Sequence, residues 1–161
     1  MLSITLVQPI VFWENTGANL AHLEEKLSEQ DNGDIIVLPE MFNTGFTMNA
    51  AKLAEPMNFN TQKWMKMQAA KNNALIIGSF IVKEGGSYYN RCVWVYPDGS
   101  FGTYDKAHPF RMMDEHVHFS RGKKKDIFEL KGWKILPMIC YYLRFPEWSR
   151  NLYDKSTDDF Y

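Results

Sequence analysis

Short apolar runs recur along the chain and predict β-strands. They span residues 3–8, 35–38, 75–82, 88–96, 101–105 and 133–139. The run at 35–38 has no polar position, which is typical of a strand covered on both faces. Gly85-Gly86 and Asp98-Gly99 separate the runs between 75 and 105, so we predict that these three strands pair as hairpins.

Two longer segments have the period of about 3.6 residues that marks an amphipathic helix. In the first, from residue 15 to about 29, one face carries Leu20, Leu23 and Leu27. A second helix is predicted over 60–71, where Asn60 and Thr61 can cap the first turn. The order β-α-β-α-β, followed by the hairpins, favours a layered α/β sandwich in a single domain over residues 1–161.

Composition and charge exclude several classes of protein. At 161 residues and 45% hydrophobic content, the chain is long enough to bury a core. The formal net charge of −1 gives no general attraction to nucleic acid or to an anionic membrane. No run approaches the roughly 20 apolar residues that span a bilayer, and residues 1–8 lack the charged start of a signal peptide. We therefore expect a cytoplasmic protein with neither nucleic-acid nor membrane partners.

Three predicted strands end in residues that can carry chemistry. Glu40 follows the run at 35–38, Lys106 follows the run at 101–105, and Cys140 follows the run at 133–139. Pro146 suits the first turn of a helix, so Cys140 stands at a strand-to-helix corner. Amide N–H groups at such a corner favour a thiolate and can bind a developing oxyanion, which makes Cys140 a candidate nucleophile.

These segments resemble a known family. Leu38-Pro-Glu40, Tyr104-Asp-Lys106 and Ile139-Cys-Tyr141 with Arg144-Phe-Pro-Glu147 are similar to the three signature regions of the nitrilase, or carbon–nitrogen hydrolase, superfamily. The stretch 37–49 looks most like its omega-amidase branch. The resemblance implies the N-terminal portion of a four-layer α-β-β-α sandwich, with the C-terminal part missing, because family members continue beyond the position of Tyr161.

The resemblance also implies roles for individual residues. Cys140 would be the nucleophile, Glu40 the general base, and Lys106 the cation beside the oxyanion. Glu115 would orient the lysine and the acyl carbonyl, and the backbone N–H of Tyr141 would be a second oxyanion donor. No metal or organic cofactor is required by this chemistry.

The implied reaction is hydrolysis of a small-molecule amide. The omega-amidase resemblance points to the terminal carboxamide of a short dicarboxylic acid monoamide, such as 2-oxoglutaramate. Phe42 and Phe46 are candidates to line the pocket, with a structural role as the alternative. Another carbon–nitrogen hydrolase activity, such as N-carbamoyl amide hydrolysis, uses the same residues and stays open.

A different class of function stays open as well. The chain has Tyr142 where the family usually has Asp, and it lacks the C-terminal portion, so a catalytically silent homologue that acts only by association is the alternative. Loss of that portion is expected to expose an apolar sheet face, so we expect either a homo-oligomer such as a dimer or a marginally stable, aggregation-prone chain.

Other candidate sites have simpler interpretations. Cys92 lies in a strand of β-forming residues and is expected to be core packing rather than a disulfide partner. Three histidines, His108, His116 and His118, raise the possibility of a metal site, but no acidic or cysteine ligand completes a recognised spacing, so a polar lid is favoured.

Overall fold

The computed structural model describes residues 1–29, 33–150, 153–154 and 159–160. Five strands form the main sheet, in the order β1 to β5: Ile4–Leu6, Ile35–Val37, Leu75–Glu84, Ser87–Val95 and Phe101–Asp105. The helices α1 to α5 span Thr16–Ser28, Ala50–Leu53, Asn60–Asn72, Glu115–His118 and Pro146–Ser149. Two 3₁₀ helices span Arg111–Met113 and Cys140–Arg144. A small hairpin of β6 Phe128–Leu130 with β7 Trp133–Ile135, and an antiparallel pair of β8 Tyr153–Asp154 with β9 Asp159–Phe160, complete the described elements.

The sheet is parallel on one side and antiparallel on the other. Strands β1, β2 and β3 run parallel, whereas β3, β4 and β5 are antiparallel neighbours. The predicted hairpins are confirmed, and the turn between β3 and β4 uses Gly85 and Gly86 at positive φ, which glycine adopts without a steric cost. The predicted strand at 133–139 is shorter than expected, because β7 ends at Ile135 and the chain then runs irregularly to Cys140.

The two long helices begin for different reasons. Helix α1 starts where the side chain of Asn15 accepts a hydrogen bond from the Ala18 N–H at 3.1 Å. The expected caps of α3 are wrong, because Phe59 occupies the cap position without a side-chain bond. The buried carboxylate of Glu55 instead accepts from both the backbone N–H and the hydroxyl of Thr61, each at 2.8 Å.

Side chains of the sheet alternate between two faces. One face packs against α1 and α3 in a core cluster that includes Leu23, Ile36, Met65, Phe80, Val93 and Val95. The other face carries Cys92, Trp94 and Tyr104, which pack with the β6–β7 hairpin and the segment around Cys140. Close packing of this second face requires Gly102, because a Cβ there would lie 2.1 Å from the ring of Trp94 on the paired strand.

Among the described residues, no helix is both long enough and apolar enough to cross a membrane.

Candidate active site

The segments that follow β2 and β5, together with the first turn of α4, bring three charged side chains together. Lys106 Nζ lies 2.6 Å from Glu40 Oε1 and 2.9 Å from Glu115 Oε2. The ammonium is almost fully buried, the Glu115 side chain has no exposed surface, and 14% of the Glu40 side chain is exposed. The cluster therefore holds two carboxylates and one cation with little solvent to screen them.

Glu115 enters the cluster from the first turn of the short helix α4. Its carboxylate accepts hydrogen bonds from Lys106 and from the backbone N–H of Phe110. Asp114, just before the helix, has a left-handed backbone with φ of 55°. The loop 110–114 thus folds back on Glu115 and fixes its carboxylate behind the lysine.

Asn90 also belongs to this cluster, although the sequence reasoning did not single it out. Its Nδ2 donates to Glu40 Oε1 at 2.7 Å and to Glu115 Oε1 at 3.0 Å. Its backbone oxygen accepts from the Lys106 N–H at 2.9 Å. The available signal was an asparagine in a strand of β-forming residues, followed two and four positions later by Cys92 and Trp94 on the same face.

Cys140 stands at a strained corner next to the cluster. Its φ of 41° is unusual for a residue with a side chain, and its neighbour Ile139 is still extended. The residue as a whole is exposed, whereas partial burial of the thiol raises its pKa. The negative charge of Glu40 and the hydrogen bond to it raise the pKa further, and Lys106 opposes the shift. A protonated thiol beside a carboxylate is the arrangement from which a proton can be transferred on attack.

Tyr142 connects the cysteine segment to the lysine segment. It is only 1% exposed, and its hydroxyl accepts a hydrogen bond from the N–H of Ala107, the residue after Lys106. Burial raises the pKa of its phenol to about 12, so the hydroxyl stays protonated at neutral pH. The tyrosine is therefore integrated into the corner.

Aromatic rings border the charged cluster. Phe46 lies with its ring centroid 5.3 Å from Lys106 Nζ, and it also contacts Phe110. The ring of Tyr141 packs edge-on against Phe110, with centroids 4.9 Å apart. Phe42, by contrast, has no exposed surface and packs against Trp64 and Phe80 in the core beneath the helices. This burial favours the alternative structural role, and a place in the pocket for Phe42 stays a prediction.

A cavity of about 850 Å³ runs from Cys140 and Glu40 along the second face of the sheet. Most of its lining is apolar, including Ile35, Ile77 and Phe128. The same face leaves apolar side chains exposed, among them Ile4 at 56%, Trp133 at 58% and Met138 at 44%. Polar chemistry is thus confined to one end of an otherwise apolar surface.

The sequence matches the profile of the carbon–nitrogen hydrolases over residues 3–159, almost the whole chain. The chain belongs to the carbon–nitrogen hydrolase family. Among curated relatives, the omega-amidase YafV of Escherichia coli strain K12 is 45% identical over 153 residues, which cover 95% of this chain and 59% of that protein. The 2-oxoglutaramate amidase of Bacillus subtilis is 38% identical over 133 residues, covering 81% of this chain and 51% of that protein.

A solved structure agrees with this assignment. A CN-hydrolase superfamily protein from Xanthomonas campestris, with an arsenic adduct in its active site, superposes with a TM-score of 0.93 at 36% identity. The match covers 99% of this chain and 61% of that protein. The predicted α/β fold of the nitrilase type is therefore confirmed. This chain spans about three-fifths of the length of the Escherichia coli omega-amidase and of the Xanthomonas campestris protein.

The remaining candidate sites of the carbon–nitrogen hydrolase chain have structural explanations. Within the described ranges, no group of three histidine, cysteine or acidic side chains can hold a metal ion. His108 stacks on Phe145 with ring centroids 4.3 Å apart, and burial lowers its pKa. Cys92 is a buried free thiol whose pKa is raised by burial, as expected for core packing.

Proposed function

We propose that this chain carries the reacting groups of an amidase that hydrolyses the terminal carboxamide of a small 2-oxo dicarboxylic acid monoamide to the acid and ammonia. One observation carries the proposal: the Glu40 carboxylate contacts both the Cys140 thiol and the Lys106 ammonium. The substrate class is supported by the omega-amidase and 2-oxoglutaramate amidase among the relatives.

The first half of the reaction forms a thioester. Glu40 takes the thiol proton as the sulfur of Cys140 attacks the carbonyl carbon, and the carbonyl oxygen becomes an oxyanion. Lys106 stabilises that charge from a position shielded from water, assisted by the backbone N–H of Tyr141. The C–N bond then breaks, Glu40 returns the proton to the nitrogen, and ammonia leaves.

The second half restores the enzyme. Glu40 takes a proton from a water molecule, whose oxygen attacks the thioester carbonyl. The C–S bond breaks, the acid is released, and the proton returns to the sulfur. Glu115 holds Lys106 throughout through its hydrogen bond to the ammonium. No step requires a metal or an organic cofactor.

The chain is also proposed to act as a cytoplasmic homodimer. The exposed apolar side chains Ile4, Trp133 and Met138 support an association that covers them. Both described cysteines are free thiols, which suits a reducing compartment. Light scattering that gave the mass of a single chain would contradict the dimer.

The function is tested by measuring ammonia release from 2-oxoglutaramate and succinamate. We expect Cys140→Ala to abolish release while the fold is retained, because the thiol supplies covalent chemistry. Glu40→Gln is expected to be inactive as well, since an amide keeps the shape but cannot carry the proton. Ammonia release by Cys140→Ala at the parent rate would contradict the proposal. Faster hydrolysis of N-carbamoyl amides than of 2-oxoglutaramate would show that the proposed substrate class is wrong.

A further inference from the structure

Asn90 contacts every charged member of the cluster. One nitrogen of its side chain bridges Glu40 and Glu115, and its backbone oxygen receives the N–H of Lys106. The residue is 1% exposed and lies at the strand position that faces the end of β5. A single residue of β4 thus sets the spacing between two carboxylates and the backbone that carries the ammonium.

The orientation of the amide follows from its surroundings. A reversed amide would direct its oxygen at two carboxylates, which repel an acceptor. In the orientation found, Oδ1 makes no hydrogen bond within the described part of the chain, so the contacts of this side chain are those of its nitrogen. Asn90 is therefore a donor to both carboxylates.

A neutral donor suits this position better than a charged one. Two carboxylates and one ammonium leave a formal excess of one negative charge, and an uncompensated buried carboxylate lone pair is costly. A second cation would remove that excess but would also hold Glu40 in its ionised form and oppose its role as a proton carrier. An asparagine supplies hydrogen bonds without adding charge.

We propose that Asn90 is a positioning residue, which holds the Glu40 carboxylate in the orientation that receives the proton of Cys140 and ties it to Glu115. This role rests on the proposed function, because it acts through the proton transfer assigned to Glu40. It goes beyond that function by adding a fourth side chain, from the middle strand of the hairpins, to the reactive cluster.

The test compares Asn90→Asp and Asn90→Leu with the parent chain. Val93→Ala is the matched control, since it truncates a fully buried residue of the same strand that packs in the cluster beneath α1 and α3. The readout is the rate constant for alkylation of Cys140 by iodoacetamide between pH 6 and pH 9, followed by mass spectrometry with buried Cys92 as internal reference. Ammonia release provides kcat and KM, and urea unfolding confirms the fold of each variant.

We expect Asn90→Asp to slow alkylation and kcat about tenfold or more at pH 8.5, with KM changed less than about threefold, because a misplaced base is costly at the reacting centre. The difference in alkylation rate between Asn90→Asp and the parent should narrow toward pH 6, where a protonated aspartic acid can donate a hydrogen bond to one carboxylate. Asn90→Leu should be slow at every pH, and Val93→Ala should react at the parent rate.

Specific results would overturn the inference. If Asn90→Asp reacts at the parent rate, or with a ratio to the parent that does not change with pH, the amide only fills space. If Asn90→Asp does not fold, a parent-like rate for Asn90→Leu overturns the inference equally. A parent chain that releases no ammonia from 2-oxoglutaramate, succinamate or an N-carbamoyl amide contradicts the proposed function itself, and the role of Asn90 falls with it.

Discussion

The described part of the chain contains two clusters of one cation and two carboxylates, on opposite faces of the same hairpins. Arg91 pairs with Glu84 at 2.8 Å and with Asp105 at 2.6 Å, whereas Lys106 pairs with Glu40 at 2.6 Å and with Glu115 at 2.9 Å. The charge composition is the same in both. The solvent exposure of the two clusters differs, because the Glu84 side chain is 60% exposed while the Glu115 side chain is fully enclosed.

The two clusters differ in their neighbours and in their access to water. Burial opposes the charge of Arg91, but its hydrogen bonds to Asp105 and Glu84 more than offset this, so its pKa is raised and the proton stays in place. Near Lys106, the Glu40 carboxylate also meets the thiol of Cys140, which provides a proton to move. A neighbouring proton donor and exclusion of water therefore distinguish the candidate reactive cluster from the structural one.

The largest expected effect separates the two cations. Lys106→Met should lower kcat by about 10³-fold, or about 4 kcal/mol, because its charge matters most when the oxyanion forms. KM should change less than about threefold. Steady-state ammonia release measures both constants, and circular dichroism confirms that the variant folds. A change confined to KM would show that Lys106 only recruits an anionic substrate.

Arg91→Met should lower the stability of the fold and leave kcat nearly unchanged. We expect a loss of about 2–3 kcal/mol in the free energy of unfolding at pH 7, since Asp105 loses its buried partner, with kcat within about threefold of the parent. The pKa of Glu84 is lowered mainly by its hydrogen bond to Arg91, so the stability from this pair is present above the usual glutamate pKa and is lost on acidification.

Urea unfolding at several pH values checks this expectation. The difference in stability between the parent and Arg91→Met should narrow as the pH falls below about 4.5, the ordinary pKa of a glutamate. A difference that stays constant down to pH 2 would mean that packing of the arginine stem, rather than its charge, stabilises the sheet.

The smallest expected effect is at Tyr142, whose hydroxyl accepts from the backbone directly after Lys106. Tyr142→Phe removes the acceptor for the buried Ala107 N–H and should cost about 1 kcal/mol of stability, with a loss of a few-fold in kcat through displacement of the lysine segment. Thermal unfolding and ammonia release test the two parts. An unchanged kcat with reduced stability would limit Tyr142 to a structural role.

Local pattern was sufficient to predict much of the fold. Helix α1, the hairpins from Leu75 to Asp105 and the strand before Glu40 follow from hydrophobic periodicity and turn residues. Motif resemblance then selected Glu40, Lys106, Cys140 and Glu115, and the structure brings all four together. Their catalytic roles stay predictions for the mutants above.

Other features were decided by the tertiary structure alone. The cap of α3 comes from Glu55, Phe42 turns into the core beneath the helices, and Tyr142 bonds the backbone after Lys106. Asn90 acquires its two carboxylate partners from positions 50 and 25 residues away. Periodicity records which face of its own element a side chain occupies, whereas these contacts depend on how separate elements pack. The sequence therefore determined the candidate reactive groups, and packing decided which neighbours hold them.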